Sequence, residues 1–147
     1  MLVPPKKNQY ALRAIFELAK HTDRGPIKIS DIAAAQSIPP RFLEVILNQL
    51  KGSGIVDSKR GFYGGYFLVK PPDRISVGDV LRFFQKKPSN SDCIACVSKT
   101  ICPFDGHCAF ATMWVRVKQA AFRIYDETSF QDLIDRERDD GRQLGRG

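Results

Sequence analysis

Residues 38–68 read IPPRFLEVILNQLKGSGIVDSKRGFYGGYFL, and their pattern is the most informative part of the chain for predicting its fold. Its first part spaces apolar side chains at the repeat of an amphipathic helix, with Pro40 in the first turn and glycines after the end. Two short runs of strand-forming residues, 55–59 and 66–69, then flank segment 60–65, whose glycines permit a hairpin tip. The pattern predicts a helix followed by a two-stranded ribbon. The side chains predicted to be buried are Leu43, Ile46, Leu47 and Leu50.

Two helices are predicted before this stretch and one after it. Residues 8–20 place apolar side chains at helical spacing, and residues 31–36 form a short second helix for which Ser30 is a good N-cap. After the ribbon, Ser76 and Asp79 have the spacing of a capping box at the start of a fourth helix. Three helices followed by a ribbon is the order of a winged helix-turn-helix. The fold class is therefore predicted to be mainly α with a small β wing.

The C-terminal part is predicted to begin with a longer helix, from about residue 109 to 126. One apolar stripe runs along it, and we expect this stripe to form a dimer seam; packing within its own protomer is the alternative. A short helix over 130–134 and a disordered, charged tail complete the prediction. The stripe consists of Trp114, Val117, Ala121 and Ile124. The predicted division is 1–88 for DNA binding, 89–108 for a cysteine loop, 109–134 for dimerisation and 135–147 for the tail.

The winged helix-turn-helix order predicts which residues meet DNA. In that arrangement the third helix enters the major groove with its first turns, and an arginine on the wing can enter the minor groove. For each of these residues a solvated surface role is the alternative, and Tyr66 is as readily explained by packing under the wing. The predicted DNA-binding residues are Pro40, Arg41, Phe42, Glu44 and Gln49 on the helix, and Lys59, Arg60, Gly64, Gly65 and Tyr66 on the wing.

Charge is distributed unevenly along the 147 residues, which carry a net charge of +7. Residues 1–88 contain 15 Lys/Arg and 7 Asp/Glu, whereas residues 89–147 contain 8 and 9. All the excess positive charge thus lies in the predicted DNA-binding domain, as expected for a polyanionic partner such as double-stranded DNA. Improved solubility is the alternative explanation.

Four cysteines within sixteen residues are all that the chain contains. Their spacing, Cys-x2-Cys-x5-Cys-x5-Cys, indicates a shared iron–sulfur cluster or zinc ion, because one loop can then supply the coordination shell. Disulfides and thiol switching are the alternatives. Because no signal peptide or membrane span is recognised, we expect a cytoplasmic protein with reduced thiols and no membrane partner. The candidate ligands are Cys93, Cys96, Cys102 and Cys108.

The chain resembles the Rrf-two (Rrf2) family of bacterial regulators, which includes IscR-like and NsrR-like proteins. The resemblance covers roughly residues 8–134 and is carried by the 38–68 stretch together with YALRAIFELA, ISVGDVLRFF, the cysteine loop and the helix that contains Trp114. It implies a dimeric winged-helix protein that binds palindromic DNA. It also implies a loop whose three cysteines, as in many members, hold a [2Fe–2S] or [4Fe–4S] cluster, so that cluster state sets DNA affinity or the choice of operator.

The cysteine loop departs from the IscR-like pattern. Cys102 and its neighbours at five-residue gaps match the three-cysteine spacing, but the family's histidine ligand corresponds to a position near Ala111, which cannot bind a metal. Cys93 is the natural replacement and would give an all-thiolate site. The other local candidates are His107, Asp92 and Asp105.

Motifs of catalysis or phosphate binding are not recognised in the sequence, so an enzyme with a small-molecule substrate is not expected. The sequence predicts a dimeric DNA-binding regulator that senses iron–sulfur or redox status. A regulator with a structural zinc in the same loop is the first alternative. A cluster carrier or scaffold is the second, and it leaves the basic wing without a purpose.

Overall fold

The computed structural model describes residues 4–85, 103–104 and 107–144, apart from the side chain of Leu144. Within these ranges, three α-helices lead into a two-stranded wing and three α-helices follow it. The predicted mainly α fold with a small β wing is confirmed. The elements are α1 (Lys6–Lys20), α2 (Ile29–Gln36), α3 (Pro40–Leu50), β1 (Val56–Lys59), β2 (Gly65–Leu68), α4 (Val77–Phe84), α5 (Ala111–Glu127) and α6 (Phe130–Leu144).

The core lies where α1, α2 and α3 meet the base of the wing. All four side chains predicted to be buried on α3 are buried. On α1, the side chains of Ala11, Ala14 and Leu18 are buried, while Leu12 and Phe16 are only partly buried against the same core. Small alanines on this face allow α1 to pack closely against α3.

The wing is joined to the body of the domain by backbone hydrogen bonds. Strands β1 and β2 pair antiparallel, from Val56 opposite Leu68 to Lys59 opposite Gly65. Tyr66 also exchanges two backbone hydrogen bonds of 2.8 Å with Ile27, in the segment between α1 and α2. This third short partner fixes the base of the wing to the helix-turn-helix.

The start of α4 agrees with the prediction made from the sequence, whereas the start of α2 differs from it. The Ser76 hydroxyl accepts from the Asp79 amide at 3.1 Å, and the Asp79 carboxylate accepts from the Ser76 amide at 3.0 Å, so the predicted capping box is present. Helix α2 begins two residues earlier than predicted, at Ile29, with Lys28 rather than Ser30 at the N-cap position.

The predicted short helix over 130–134 and the disorder predicted for residues 135–144 are wrong, because α6 continues from Phe130 to Leu144; residues 145–147 lie outside the described residues. A second capping box, between Ser129 and Asp132, starts the helix. Phe130 and Ile134 are then buried in the common core, where α6 packs against α1. The charged residues beyond Ile134 continue a helix whose first turns are already packed in the core. Their composition alone therefore gave a wrong prediction of disorder.

Candidate nucleic-acid interface

Helix α3 presents one face to the core and the other to solvent. Because the buried residues repeat every three or four positions, the remaining positions share the outer face. Phe42 on this face is 62% exposed. The five α3 residues predicted to meet DNA are all exposed: Pro40, Arg41, Phe42, Glu44 and Gln49.

The wing places only part of its predicted set at the surface. Lys59 and Arg60 are exposed at the end of β1. Gly64 is buried, and a Cβ at this position would overlap the carbonyl oxygen of Lys59. Gly65 has a φ of +148°, and a Cβ there would overlap the backbone of Ile27. Both glycines therefore allow close backbone approach, and whether they also contact DNA stays a prediction.

Tyr66 lies on β2, at the base of the wing. The ring is partly buried and packs against the hydrophobic core. Burial and the nearby carboxylate of Glu44 raise the pKa of the Tyr66 hydroxyl. The side chain thus has a packing role in this structure, and its contact with DNA stays a prediction.

A pair of aromatic residues at the wing tip was not among the predicted site residues. Phe62 and Tyr63 are 79% and 84% exposed, and the ammonium of Lys28 lies 5.0 Å from the centroid of the Phe62 ring. The position of these residues between the strands was a signal for exposure. Nothing local in the sequence indicated the contact with Lys28, because it joins the wing to the N-cap position of α2.

A buried carboxylate sets the position of α2 relative to α1. Glu17 is only 6% exposed, and its carboxylate accepts hydrogen bonds from Gln36 at 2.7 Å, Lys20 at 3.1 Å and His21 at 3.0 Å. Burial alone would raise the pKa of Glu17, but these donors outweigh it and the pKa is lowered. The ionised carboxylate thus holds the helix-turn-helix in place.

Helix α5 packs against α4, the last helix before the cysteine segment. Arg82 on α4 forms a two-point ion pair with Asp126 on α5, and its guanidinium lies 5.0 Å from the centroid of the Phe122 ring. A Cβ at Gly78 would overlap the Asp126 carboxylate, so a larger residue there would displace this side chain. The two helices are therefore held together close to the end of α5.

Among the described residues, none on α5 is fully buried in the single chain. Trp114, Val117 and Ala121 are partly buried, and Ile124 is 64% exposed. The predicted stripe is thus present, with its end open to solvent. Its role as a dimer seam stays a prediction.

Of the four cysteines, only Cys108 lies among the described residues. It is partly exposed, and its carbonyl oxygen accepts a hydrogen bond of 3.1 Å from the amide of Ala111 at the start of α5. The alternative ligand His107 is exposed beside it. Outside the described residues lie Cys93, Cys96, Cys102, Asp92 and Asp105.

The described ranges contain neither a metal-binding group of side chains nor a membrane-spanning helix. No group of three His, Cys, Asp or Glu side chains able to hold a metal occurs there. Because three of the four cysteines lie outside these ranges, the four-cysteine ligand set stays a prediction. No helix in these ranges is both long and apolar enough to cross a membrane.

Comparison with known proteins shows one family. The profile of Rrf2, described as an iron-dependent transcriptional regulator, matches residues 5–136. The HTH-type transcriptional regulator CymR of Bacillus subtilis is 32% identical over 127 residues, which cover 86% of each chain. Its solved structure, described as the global cysteine regulator, aligns with a TM-score of 0.70 at 31% identity over 90% of this chain and 96% of that one. The structure of T. potens IscR aligns with a TM-score of 0.75 at 26% identity over 92% and 88%.

These relatives are transcriptional regulators rather than enzymes, as expected from the sequence. The winged-helix fold, the exposed face of α3 and the extent of the match agree with one another. The chain belongs to the Rrf2 family of DNA-binding transcriptional regulators.

Proposed function

We propose that the protein is a homodimer that binds palindromic double-stranded DNA and that an iron–sulfur cluster in the cysteine loop controls this binding. The observation that carries the proposal is the exposed outer face of α3 beside a basic wing, on a fold that belongs to DNA-binding regulators. Pro40 and Arg41 begin α3, so the polar backbone of its first turn and the guanidinium approach the groove together.

The two elements are assigned different tasks on DNA. Arg41, Glu44 and Gln49 offer hydrogen-bonding groups that suit base edges in the major groove. Lys59 and Arg60 offer positive charge at the end of β1, which suits phosphates and the minor groove. Tyr66, Gly64 and Gly65 hold the wing at its angle to α3 through the packing described above. Their contribution to binding is therefore mainly through position.

Dimerisation is assigned to α5. Its partly exposed aromatic and aliphatic side chains would be covered by the same helix of a second copy, which is the usual symmetry of a homodimer. The DNA-binding domains of the two protomers must lie roughly 34 Å apart to engage consecutive major grooves on one face of DNA. The α4–α5 contact at Arg82 and Asp126 transmits the geometry of the dimer helix to the DNA-binding domain.

The donor set of the cysteine loop fits a cluster. Cys93, Cys96, Cys102 and Cys108 would be the ligands, and Cys108 lies at the foot of α5 with part of its side chain accessible. When bound, such a group supplies a redox-sensitive link between the four thiolates. The cysteine segment connects the end of α4 to the start of α5, so tethering its thiolates constrains both helices that carry the Arg82–Asp126 pair. We assign the control of DNA affinity to this constraint.

A second candidate is favoured by the likeness to CymR. A member described as a global cysteine regulator is as similar to this chain as the IscR structure is. In this alternative the same thiolates hold a structural zinc or act as a thiol switch, and α3 and the wing keep their task. The DNA-binding part of the proposal is unaffected by this choice.

Anaerobic purification followed by absorbance spectroscopy and iron, sulfide and zinc assays separates the two candidates. Visible absorption bands with matched iron and sulfide support the cluster, whereas colourless protein with about one zinc per chain supports the alternative. Sedimentation of the wild type and of Ile124→Asp tests the dimer. We expect the wild type to sediment as a dimer and the variant as a monomer, while Arg123→Gln on the neighbouring exposed position stays dimeric.

A further inference from the structure

The tip of the wing carries two large aromatic side chains that the structure leaves in solvent. Phe62 and Tyr63 pack edge to face with ring centroids 5.0 Å apart, and they are among the most exposed apolar residues of the described chain. The pair contributes little to the core, because both side chains project beyond the two paired strands. Exposed apolar surface of this kind marks a contact site.

The Phe62 ring contacts one cation, and the turn that carries it is closed by backbone hydrogen bonds. Lys28 places its ammonium 5.0 Å from the ring centroid, a distance at which the cation is attracted by the ring. Lys28 is adjacent to Ile27, which is bonded through its backbone to Tyr66 at the other end of the tip. The tip itself is closed by a hydrogen bond of 3.0 Å from the Gly64 amide to the Gly61 carbonyl. The ring is thus presented by a braced turn.

Charge around the tip identifies the partner. Lys28 lies against the Phe62 ring, and the exposed cations Lys59 and Arg60 directly precede the tip in sequence. No acidic residue lies between Lys59 and Gly65. Cations can bind the phosphates that line both edges of a DNA groove. An aromatic ring that lies between such cations can stack between two neighbouring base pairs. Apolar side chains that enter the minor groove as wedges partly unstack one base step and bend the duplex.

We propose that Phe62 is a specificity-determining wedge that enters the minor groove at one flexible base step under each wing, with Lys28 holding its ring in position. Binding is stronger where the base step costs less free energy to unstack, so pyrimidine–purine steps such as TA or CA are favoured. This inference rests on the proposed DNA interface and adds a sequence preference at a position where no base edge is bonded.

The test uses full-length protein and duplexes that the wild type selects from a library with random sequence. In one set, 2-aminopurine replaces an adenine at the step under the wing, because its fluorescence rises on unstacking. We expect wild-type binding to raise this fluorescence and to weaken when the flexible step is replaced by a stiff one. Phe62→Ala is expected to lose the fluorescence change and to bind about tenfold more weakly, the order expected for one aromatic stacking contact.

Companion variants separate the wedge from other roles of the tip. Phe62→Leu keeps an apolar wedge and is expected to retain part of the fluorescence change, while Lys28→Met removes the cation and is expected to lose part of it. Val69→Ala removes exposed apolar surface from the strand end and should behave as wild type. Equal unfolding temperatures of the variants confirm that the fold is intact.

Two results overturn the inference, and they are distinguishable. If Phe62→Ala keeps the fluorescence change, affinity and step preference while Arg60→Ala weakens binding, the interface stands and the wedge is wrong. The tip would then contact a protein or nothing at all. If Arg60→Ala and Arg41→Ala also bind as wild type, the proposed interface itself fails, and the wedge fails with it.

Discussion

Arg82 and Asp126 join the helix that ends the DNA-binding domain to the helix that is proposed to form the dimer. Two nitrogens of the guanidinium donate to the two carboxylate oxygens, with Nη2 and Oδ2 2.6 Å apart. The residues are 44 positions apart in sequence, and Gly78 opens the space in which they meet. This pair fixes the position of α5 against α4, and in the proposed dimer it sets the separation of the two DNA-binding domains.

Breaking the pair is predicted to change DNA binding more than stability. Both side chains are substantially exposed, so Asp126→Asn should leave the unfolding temperature almost unchanged. The affinity for a selected palindrome should fall, because the two DNA-binding domains lose their fixed spacing. Fluorescence anisotropy with half-sites spaced at different distances measures this effect. The exchanged variant Arg82→Asp with Asp126→Arg should recover affinity in part, and Glu127→Gln serves as the control.

The same pair has a predictable pH dependence. The hydrogen bonds from Arg82 lower the pKa of Asp126 below its ordinary value of 3.8. A carboxylate with a lowered pKa contributes fully above its ordinary value, and the contribution is lost as the pH falls through the lowered one. DNA spacing preference should therefore be constant from neutral pH down to about 4 in the wild type. A change of preference near neutral pH would contradict this assignment.

Glu17 is predicted to matter for stability. Glu17→Gln leaves its buried donors with a weaker acceptor, so the free energy of unfolding at pH 7 should fall by about 1–3 kcal/mol. Because the pKa of Glu17 is lowered from 4.5, its contribution is present above that value and lost as the pH falls below it. Urea unfolding at pH 7 and at lower pH tests both points. The difference between wild type and variant should shrink in acid, and Glu137→Gln, at the exposed end of the network, should have a smaller effect.

Gly65 is predicted to be the least replaceable residue of the wing. In Gly65→Ala the new Cβ meets the Ile27 backbone, and the φ of +148° strains any residue with a side chain. We expect a lower unfolding temperature and weaker DNA binding together, as the wing moves away from α3. Thermal unfolding and anisotropy on the same samples measure this. Gly52→Ala is the matched control, since nothing lies within 4 Å of its Cβ position.

Lys59 is predicted to contact a phosphate. If it does, Lys59→Ala should weaken binding to all duplexes alike and lower the slope of log affinity against log salt by about 1. Affinity measured across a salt series gives this slope directly. Arg138→Ala, on the exposed part of α6, should leave the slope unchanged. An unchanged slope in Lys59→Ala would place this side chain away from the DNA.

Sequence patterns predicted the parts of the fold that rest on local chemistry. The repeat of Leu43, Ile46 and Leu47 identified the buried face of α3, and Ser76 with Asp79 identified the start of α4. The length of α6 was missed because its stability depends on Phe130 and Ile134 reaching a core formed by distant helices. Local pattern gives no access to such contacts.

The candidate site divides in the same way. Exposure of Arg41, Gln49 and Arg60 followed from helix spacing and from the position of the hairpin. The contacts of Lys28 with Phe62 and of Arg82 with Asp126 join segments that only the tertiary structure brings together. Glu17 resembled a surface residue in the sequence, because its partners Lys20 and His21 are the common neighbours of an exposed helical glutamate.

The most direct test compares cluster-loaded and cluster-free protein on one duplex. Protein purified without oxygen is divided, one part is stripped of metal under reducing conditions, and both are titrated onto a DNA selected by the loaded form. We predict that the two forms differ in affinity by tenfold or more, about 1.4 kcal/mol, and that replacing Cys108 with Ala abolishes the difference. Equal affinity of the two forms for every duplex tested would contradict the claim that the cysteine loop controls DNA binding.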